Sequence, residues 1–168
     1  MVVRSELPED ITAIHALNAG AFETPAEARL VDALRASGAL RLSLVAVVAG
    51  ELVGHIAFSP VTIEARERTW SGVGLAPMAV RATFRRRGIG GQLIAEGLKR
   101  LRAMNQPFCV VLGHADYYPR FGFLRASDFG IRWEKPVPED VFFVQPLATD
   151  GLAGVSGVVR FRPEFAAV

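Results

Sequence analysis

Apolar and polar positions recur along this chain in two rhythms, one helical and one extended, and together they divide it into elements. Residues 2–4 suit a short first strand. Pro8-Glu9-Asp10 then offers a proline and two acids to a first helical turn, where a missing N–H is harmless and negative charge is favoured. Ile11, Ile14, Ala16 and Leu17 follow near helical spacing up to Gly20. Thr24-Pro25 opens a second helix running to about Leu34, and Gly38 ends it. Residues 42–48 are an apolar run rich in β-branched and aliphatic side chains, Ala49-Gly50 is a turn, and residues 52–63 return as the second arm of a hairpin. After a polar turn at 66–69, residues 70–80 make a third strand. Ile89, Leu93, Ile94, Gly97, Leu98, Leu101 and Met104 then form one apolar stripe, with Glu96 and Arg100 at i,i+4 on the wet side. Beyond Pro107, residues 108–112 read as a strand buried on both faces. A short helix is predicted at 115–121, ending at Gly122, with strands near Leu124 and across 141–144. One more extended segment is predicted around Val158 and Phe161 in the glycine-rich tail.

Helices and strands alternate most clearly after Trp70, which predicts an α/β (α+β) chain with a mixed sheet. No repeat or linker interrupts it, and 168 residues fit one domain spanning 1–168, with 151–168 a C-terminal extension packed on it. Hydrophobic residues make up 51% and charged residues 21%, which excludes a disordered chain. The formal net charge is +2, too small for a surface devoted to nucleic acid. Cys109 is the only cysteine, so no internal disulfide forms. No apolar run approaches the ~18 residues of a membrane span, and the N-terminus lacks a signal-peptide pattern. The expectation is a cytoplasmic protein without a membrane partner.

Arg85-Arg86-Arg87-Gly88-Ile89-Gly90-Gly91 joins the third strand to the striped helix. A helix start leaves backbone N–H groups unpaired, and the macrodipole adds partial positive charge there. Glycines let an anion approach those amides, and arginines add charge-assisted hydrogen bonds. The ligand class implied is a nucleotide-like pyrophosphate. A dinucleotide fingerprint would need glycine or alanine where Leu93 stands, and a Walker loop would need Gly-Lys-Ser/Thr. On residue chemistry alone, a solvated arginine cluster beside an ordinary helix start fits equally well. Nucleic-acid contact fits less well, because no aromatic-rich basic face surrounds the arginines.

Other motifs decide between these readings. Arg85-Arg86-Arg87-Gly88-Ile89-Gly90 resembles the R/Q-x-x-G-x-G/A signature of the GNAT N-acetyltransferase superfamily. Leu75-Ala76-Pro77-Met78-Ala79-Val80 resembles the strand before that signature, and Tyr117-Tyr118-Pro119-Arg120-Phe121-Gly122-Phe123 resembles the family's later Tyr-x-x-x-Gly-Phe element. Gly54-His55-Ile56-Ala57-Phe58-Ser59-Pro60 and Gly154-Val155-Ser156-Gly157 resemble a bacterial subgroup of predicted acetyltransferases. The resemblance implies a mixed, mostly antiparallel central sheet of six to seven strands flanked by about four helices. It implies acetyl-CoA or coenzyme A as cosubstrate, and direct acetyl transfer to a primary amine of a small molecule or peptide. A non-catalytic acyl-CoA sensor or regulatory protein would use the same pocket.

By the same resemblance, the amides of Arg86, Arg87, Gly88, Ile89, Gly90 and Gly91 hold the pyrophosphate, with Arg85 adding charge. Met78, Ala79 and Val80 offer backbone groups to the pantetheine arm, a form of β-augmentation, and one of their N–H groups serves the oxyanion. Tyr118, four residues before Gly122, stands where the family places its general acid, and a phenol is protonated at neutral pH. The base is left among Glu23, Glu27, His55, His114, Asp116 and water; His55 reads as structural on its apolar strand. Residues 22–24 and 133–138 are implied as walls of the acceptor pocket. No metal-ligand spacing is present, and Cys109 reads as a buried small hydrophobe. Exposed strands in this fold often pair, which leaves a homodimer open.

Overall fold

Strand and helix signals are realised in the computed structural model, which describes residues 1–168. The strands are β1 (Val2–Ser5), β2 (Leu42–Val48), β3 (Glu51–Glu64), β4 (Thr69–Val80), β5 (Phe108–Leu112), β6 (Leu124–Arg125), β7 (Ile131–Trp133), β8 (Phe142–Pro146) and β9 (Gly157–Arg160). The helices are α1 (Ile11–Ala21), α2 (Ala26–Ala36) and α3 (Ile89–Ala103). Neighbours in the sheet follow the order β1-β2-β3-β4-β5-β8-β6, with β9 on β3 and β7 on β9. The β4–β5 and β7–β9 pairs are parallel, whereas β1–β2, β2–β3, β3–β9, β5–β8 and β6–β8 are antiparallel. This is the mixed, mostly antiparallel sheet that the family resemblance implies, with nine strands in place of the expected six to seven and three α-helices in place of about four. Its nine strands include two very short ones, and β7 gives no sequence signal because three residues are too few to show alternation. The helix predicted at 115–121 is instead a single 3-10 turn over Tyr118–Phe121. Pro119 and the left-handed Gly122 (φ 90°) leave it no room to extend.

Contacts divide the chain into two compact units, one of Met1–Ser59, Ala76–Lys99 and Pro163–Val168, the other of Pro60–Leu75 and Arg100–Arg162. In the first, α1 and α2 cover one face of β2 and β3: Ile14, Val31 and Val45 form a core patch with Leu52 packed on it. The opposite face carries α3. Here Gly54 matters, because a Cβ at that position would lie 3.0 Å from Ile89 Cγ2 and from Leu93 Cδ1. Gly97 meets Phe58 in the same way, its absent Cβ leaving space for the ring. Two glycines, one on β3 and one on α3, thus let the helix sit down on the strand. Gly54→Ile is expected to cost about 1–3 kcal/mol by overpacking. It should also lift the first turn of α3; urea unfolding that matches the parent protein would contradict this packing.

In the second unit, Val61, Ile63, Phe108, Val110, Ile131, Phe142, Val144 and Val159 form a continuous core, with Trp70, Trp133 and Phe161 packed against it. β5 is buried from Phe108 to Val111, consistent with a strand covered on both faces. No helix is long and apolar enough to cross a membrane.

Candidate functional site

Backbone geometry at 85–91 explains why this sequence makes a receptive loop. Arg85 is extended (φ −67°, ψ 156°), then Arg86 (φ 62°) and Gly88 (φ 78°) adopt left-handed conformations. Left-handed turns of this kind ahead of a helix start are suited to an anion-binding concavity. The helical ladder begins with Gln92 N–H donating to Gly88 O at 3.1 Å, so the amides of Ile89, Gly90 and Gly91 have no intrahelical acceptor. Arg85, Arg86, Arg87 and Gly88 are exposed, while Ile89 is buried and anchors the turn. The loop is open toward solvent and fastened beneath.

The three arginines are not equivalent. Arg85 donates through Nε to Val80 O at 3.2 Å and through Nη2 to Ala21 O at 3.4 Å. It therefore braces the loop against the end of β4 and the end of α1. Arg87 lies over the Phe84 ring at 5.1 Å. Arg81, just upstream, is held by Glu51 (2.7 Å) and by Leu52 O (3.1 Å). A cavity of about 460 Å³ adjoins this end of β4, lined by Leu17, Gly20, Ala21, Leu52, Val80 and Arg81. On β4 itself, Ala79 is buried and its neighbours Met78 and Val80 are half-buried. The parallel ladder to β5 pairs Val73 with Cys109 and Gly74 with Val110 and stops there.

Tyr118 belongs to the second unit. It is buried, its ring held edge-on by Tyr117 and Phe123 at centroid distances of 5.2 and 5.7 Å. Burial, aided by the neighbouring Tyr117, pushes its phenol up to about 12. The phenol is therefore neutral and a donor throughout the physiological range. Gly113 makes room for the ring: a Cβ there would fall 2.1 Å from Tyr118 Cε2. Tyr117 is less buried, and Arg120 stacks on it at 4.8 Å.

Two supports of this turn escape sequence reading. Gln145, buried on β8, donates to Phe121 O at 2.7 Å and accepts from Arg102 Nη2 at 3.0 Å. A glutamine inside the apolar run Phe142-Phe143-Val144-Gln145 is the signal that marks it.

Among the candidate bases, His55 is wholly occupied. Asn18 Nδ2 donates to its Nδ1 at 3.1 Å, which makes Nε2 the protonated nitrogen, and that N–H donates to Ser43 Oγ at 2.9 Å. Ser43 in turn donates to Glu6 Oε2 at 2.7 Å, and Glu6 takes a two-pronged bond from Arg35 at 2.9 and 3.0 Å. Burial drives the His55 imidazole down to about 4, so it is neutral and structural. Burial alone would raise the Glu6 carboxyl, but Arg35 and Ser43 outweigh it and hold the group below its usual range. Glu23, His114 and Asp116 are exposed, and Glu27 is half-buried. Residues 133–138 line a cavity of about 310 Å³ with Ser127 and Phe142. Cys109 is buried in β5, where desolvation raises its thiol far above the usual range and leaves it unreactive. No group of three or more His, Cys, Asp or Glu side chains is placed to hold a metal ion.

Comparison with known proteins adds to this geometry. Residues 3–126 match the model of the acetyltransferase (GNAT) domain. The chain is 41% identical over 166 residues to the N-acetyltransferase YhbS of Escherichia coli strain K12, covering 98% of both chains. It is similar to the crystal structure of that protein in complex with CoA, at a TM-score of 0.92 and 40% identity, covering 98% of this chain and 91% of the other. A GNAT acetyltransferase from Brucella melitensis in complex with acetyl-CoA is also similar, at a TM-score of 0.78 and 37% identity, covering 98% and 97%.

Proposed function

This chain belongs to the GNAT acetyltransferase family, and from that premise we propose that it transfers an acetyl group from acetyl-CoA to a primary amine. The observation that carries the reading is the loop ahead of α3, where left-handed Arg86 and Gly88 precede three unpaired helical amides. Such a turn gives a pyrophosphate several N–H donors without a side chain in the way. Arg86 and Arg87, exposed beside it, supply charge. Arg85 acts differently from its neighbours, since its guanidinium is spent on Val80 O and Ala21 O. Its part is to hold the loop in shape.

In this reading Met78, Ala79 and Val80 pair their main chain with the pantetheine arm, and one of their N–H groups faces the carbonyl oxygen. Direct attack of the amine on the thioester carbon makes a C–N bond and releases the thiolate. Tyr118 is the donor assigned to that thiolate. The resemblances to relatives crystallised with CoA and acetyl-CoA support the cosubstrate, and the acceptor is an amine of unspecified structure.

The first test is thermodynamic. Coenzyme A at 100 times its dissociation constant is expected to stabilise the fold by about 2.7 kcal/mol. An unchanged melting temperature at saturating coenzyme would remove the central claim. A coenzyme-dependent shift without thiol release across an amine panel would point instead to an acyl-CoA sensor.

A further inference from the structure

Leaving aside Tyr118 and Cys109, six polar side chains are buried, and five of them belong to the first unit: Asp10, Asn18, Ser43, His55 and Ser59. The sixth, Gln145, stands alone in the second unit, 4% exposed within β8. Burying an amide costs free energy unless its hydrogen bonds are made. Both ends of this one are used, and in a single orientation. Arg102 Nη2 can only donate, so it faces Oε1 at 3.0 Å; Phe121 O can only accept, so it faces Nε2 at 2.7 Å. Phe121 closes the 3-10 turn that Tyr118 opens, and a carbonyl at the end of so short a turn has no partner within it. The chain is shaped to admit the amide, since a Cβ at Gly122 would fall 2.6 Å from Gln145 Nε2.

From this we propose that Gln145 is a positioning residue for acyl transfer: through Phe121 O it holds the turn that sets the Tyr118 hydroxyl in place, an inference that rests on the donor role assigned to Tyr118 above. The Tyr118 ring is otherwise held by Tyr117, Phe123 and the space left at Gly113, contacts that are apolar and non-directional. The amide supplies a directional one. It projects from a fixed strand, because β8 is laddered to β5 with Cys109 opposite Gln145, and Arg102 in the last turn of α3 holds its other end. Gln145 touches no reacting atom. Removing its donor strands Phe121 O, and the turn must shift to find water for that carbonyl. A misplacement of ~1 Å at a reacting group costs on the order of 100-fold in rate.

Two variants test this. Gln145→Met keeps the volume and removes both polar ends. Gln145→Glu keeps the pairing with Arg102, but its carboxylate has no proton to give Phe121 O. Tyr117 and Tyr118 are the only tyrosines of the chain, so in a Tyr117→Phe background the ultraviolet absorbance of phenolate reports Tyr118 alone. At about pH 11, a phenol at about 12 is about one-tenth ionised and one at about 10 is about nine-tenths ionised. Jumped to that pH and read before unfolding, the Tyr117→Phe protein is expected to keep Tyr118 mostly neutral. Adding Gln145→Met or Gln145→Glu should leave it mostly ionised, as the loosened turn lets water reach the hydroxyl. Unchanged ionisation in either variant would overturn the proposal, and this measurement needs neither coenzyme nor acceptor, so its failure is separate from failure of the acyl-transfer reading.

With acetyl-CoA and n-butylamine as reactants, each variant should lose about 10- to 100-fold in turnover with the KM for acetyl-CoA unchanged. In a Tyr118→Phe background the same substitutions should cost nothing further, because a positioning residue acts only through what it positions. Losses that multiply in the double variants would make Gln145 a purely structural residue and overturn the proposal. A coenzyme-induced melting shift equal to the parent's certifies the fold of each variant.

Discussion

Tyr118→Phe is expected to lower acetyl transfer by about 10²- to 10³-fold, the scale of losing one donor to a developing charge, while leaving coenzyme affinity largely unchanged. The size of the loss follows from what burial does to the phenol. At about 12, its proton is held more tightly than a thiol's, whose ordinary pKa is about 8.5. Complete transfer from Tyr118 to a thiolate is therefore uphill. The group's contribution is a hydrogen bond to the sulfur as negative charge builds on it, stronger for being made away from water. The phenylalanine variant should fold normally, since the ring packs between Tyr117 and Phe123 and none of the structure's hydrogen bonds uses its hydroxyl. Parallel measurement of turnover and of the coenzyme-induced melting shift decides the matter. Full turnover in Tyr118→Phe would withdraw the role, and lost coenzyme binding would recast Tyr118 as a cofactor contact.

The elements carrying local signals are legible in the chain. β2 and β5 fall at 42–48 and 108–112 as predicted, because each is a mostly apolar run followed by turn residues, broken in β2 only by Ser43. α3 follows its stripe, although Met104 lies beyond the helix end at Ala103 and is exposed. The 85–91 loop is legible because its chemistry is contained in seven consecutive residues. Long-range partners are not. Glu6 and Arg35 are 29 residues apart, and His55 meets Asn18 across 37. Nothing in the spacing of these residues forecasts a polar chain running from α1 through β3 and β2 to α2.

That polar chain makes the stability of the fold depend on pH. His55 is buried, with Asn18 and Ser43 on its two nitrogens and with Glu6 and Arg35 beyond Ser43. Desolvation lowers it from 6.5 to about 4, and the attraction of Glu6, opposed by Arg35, does not reverse this. Protonation is therefore easier in the unfolded chain than in the folded one. Stability from this site is fully present above about pH 6.5 and drains away as pH falls toward 4. Each pH unit of that window is worth about 1.4 kcal/mol, so the loss across it comes to about 3 kcal/mol. Glu6 acts separately: its carboxyl is held below 4.5, so its contribution persists until the pH falls under that value. Urea unfolding at half-unit steps from about pH 7.5 to about pH 4 should show the slope. His55→Gln, which cannot take up a proton, should flatten the curve above about pH 4.5 and leave the steeper fall below it. An identical slope in both proteins would mean that the imidazole titrates alike in the folded and unfolded chains. In that event the buried, neutral state assigned to His55 would be wrong.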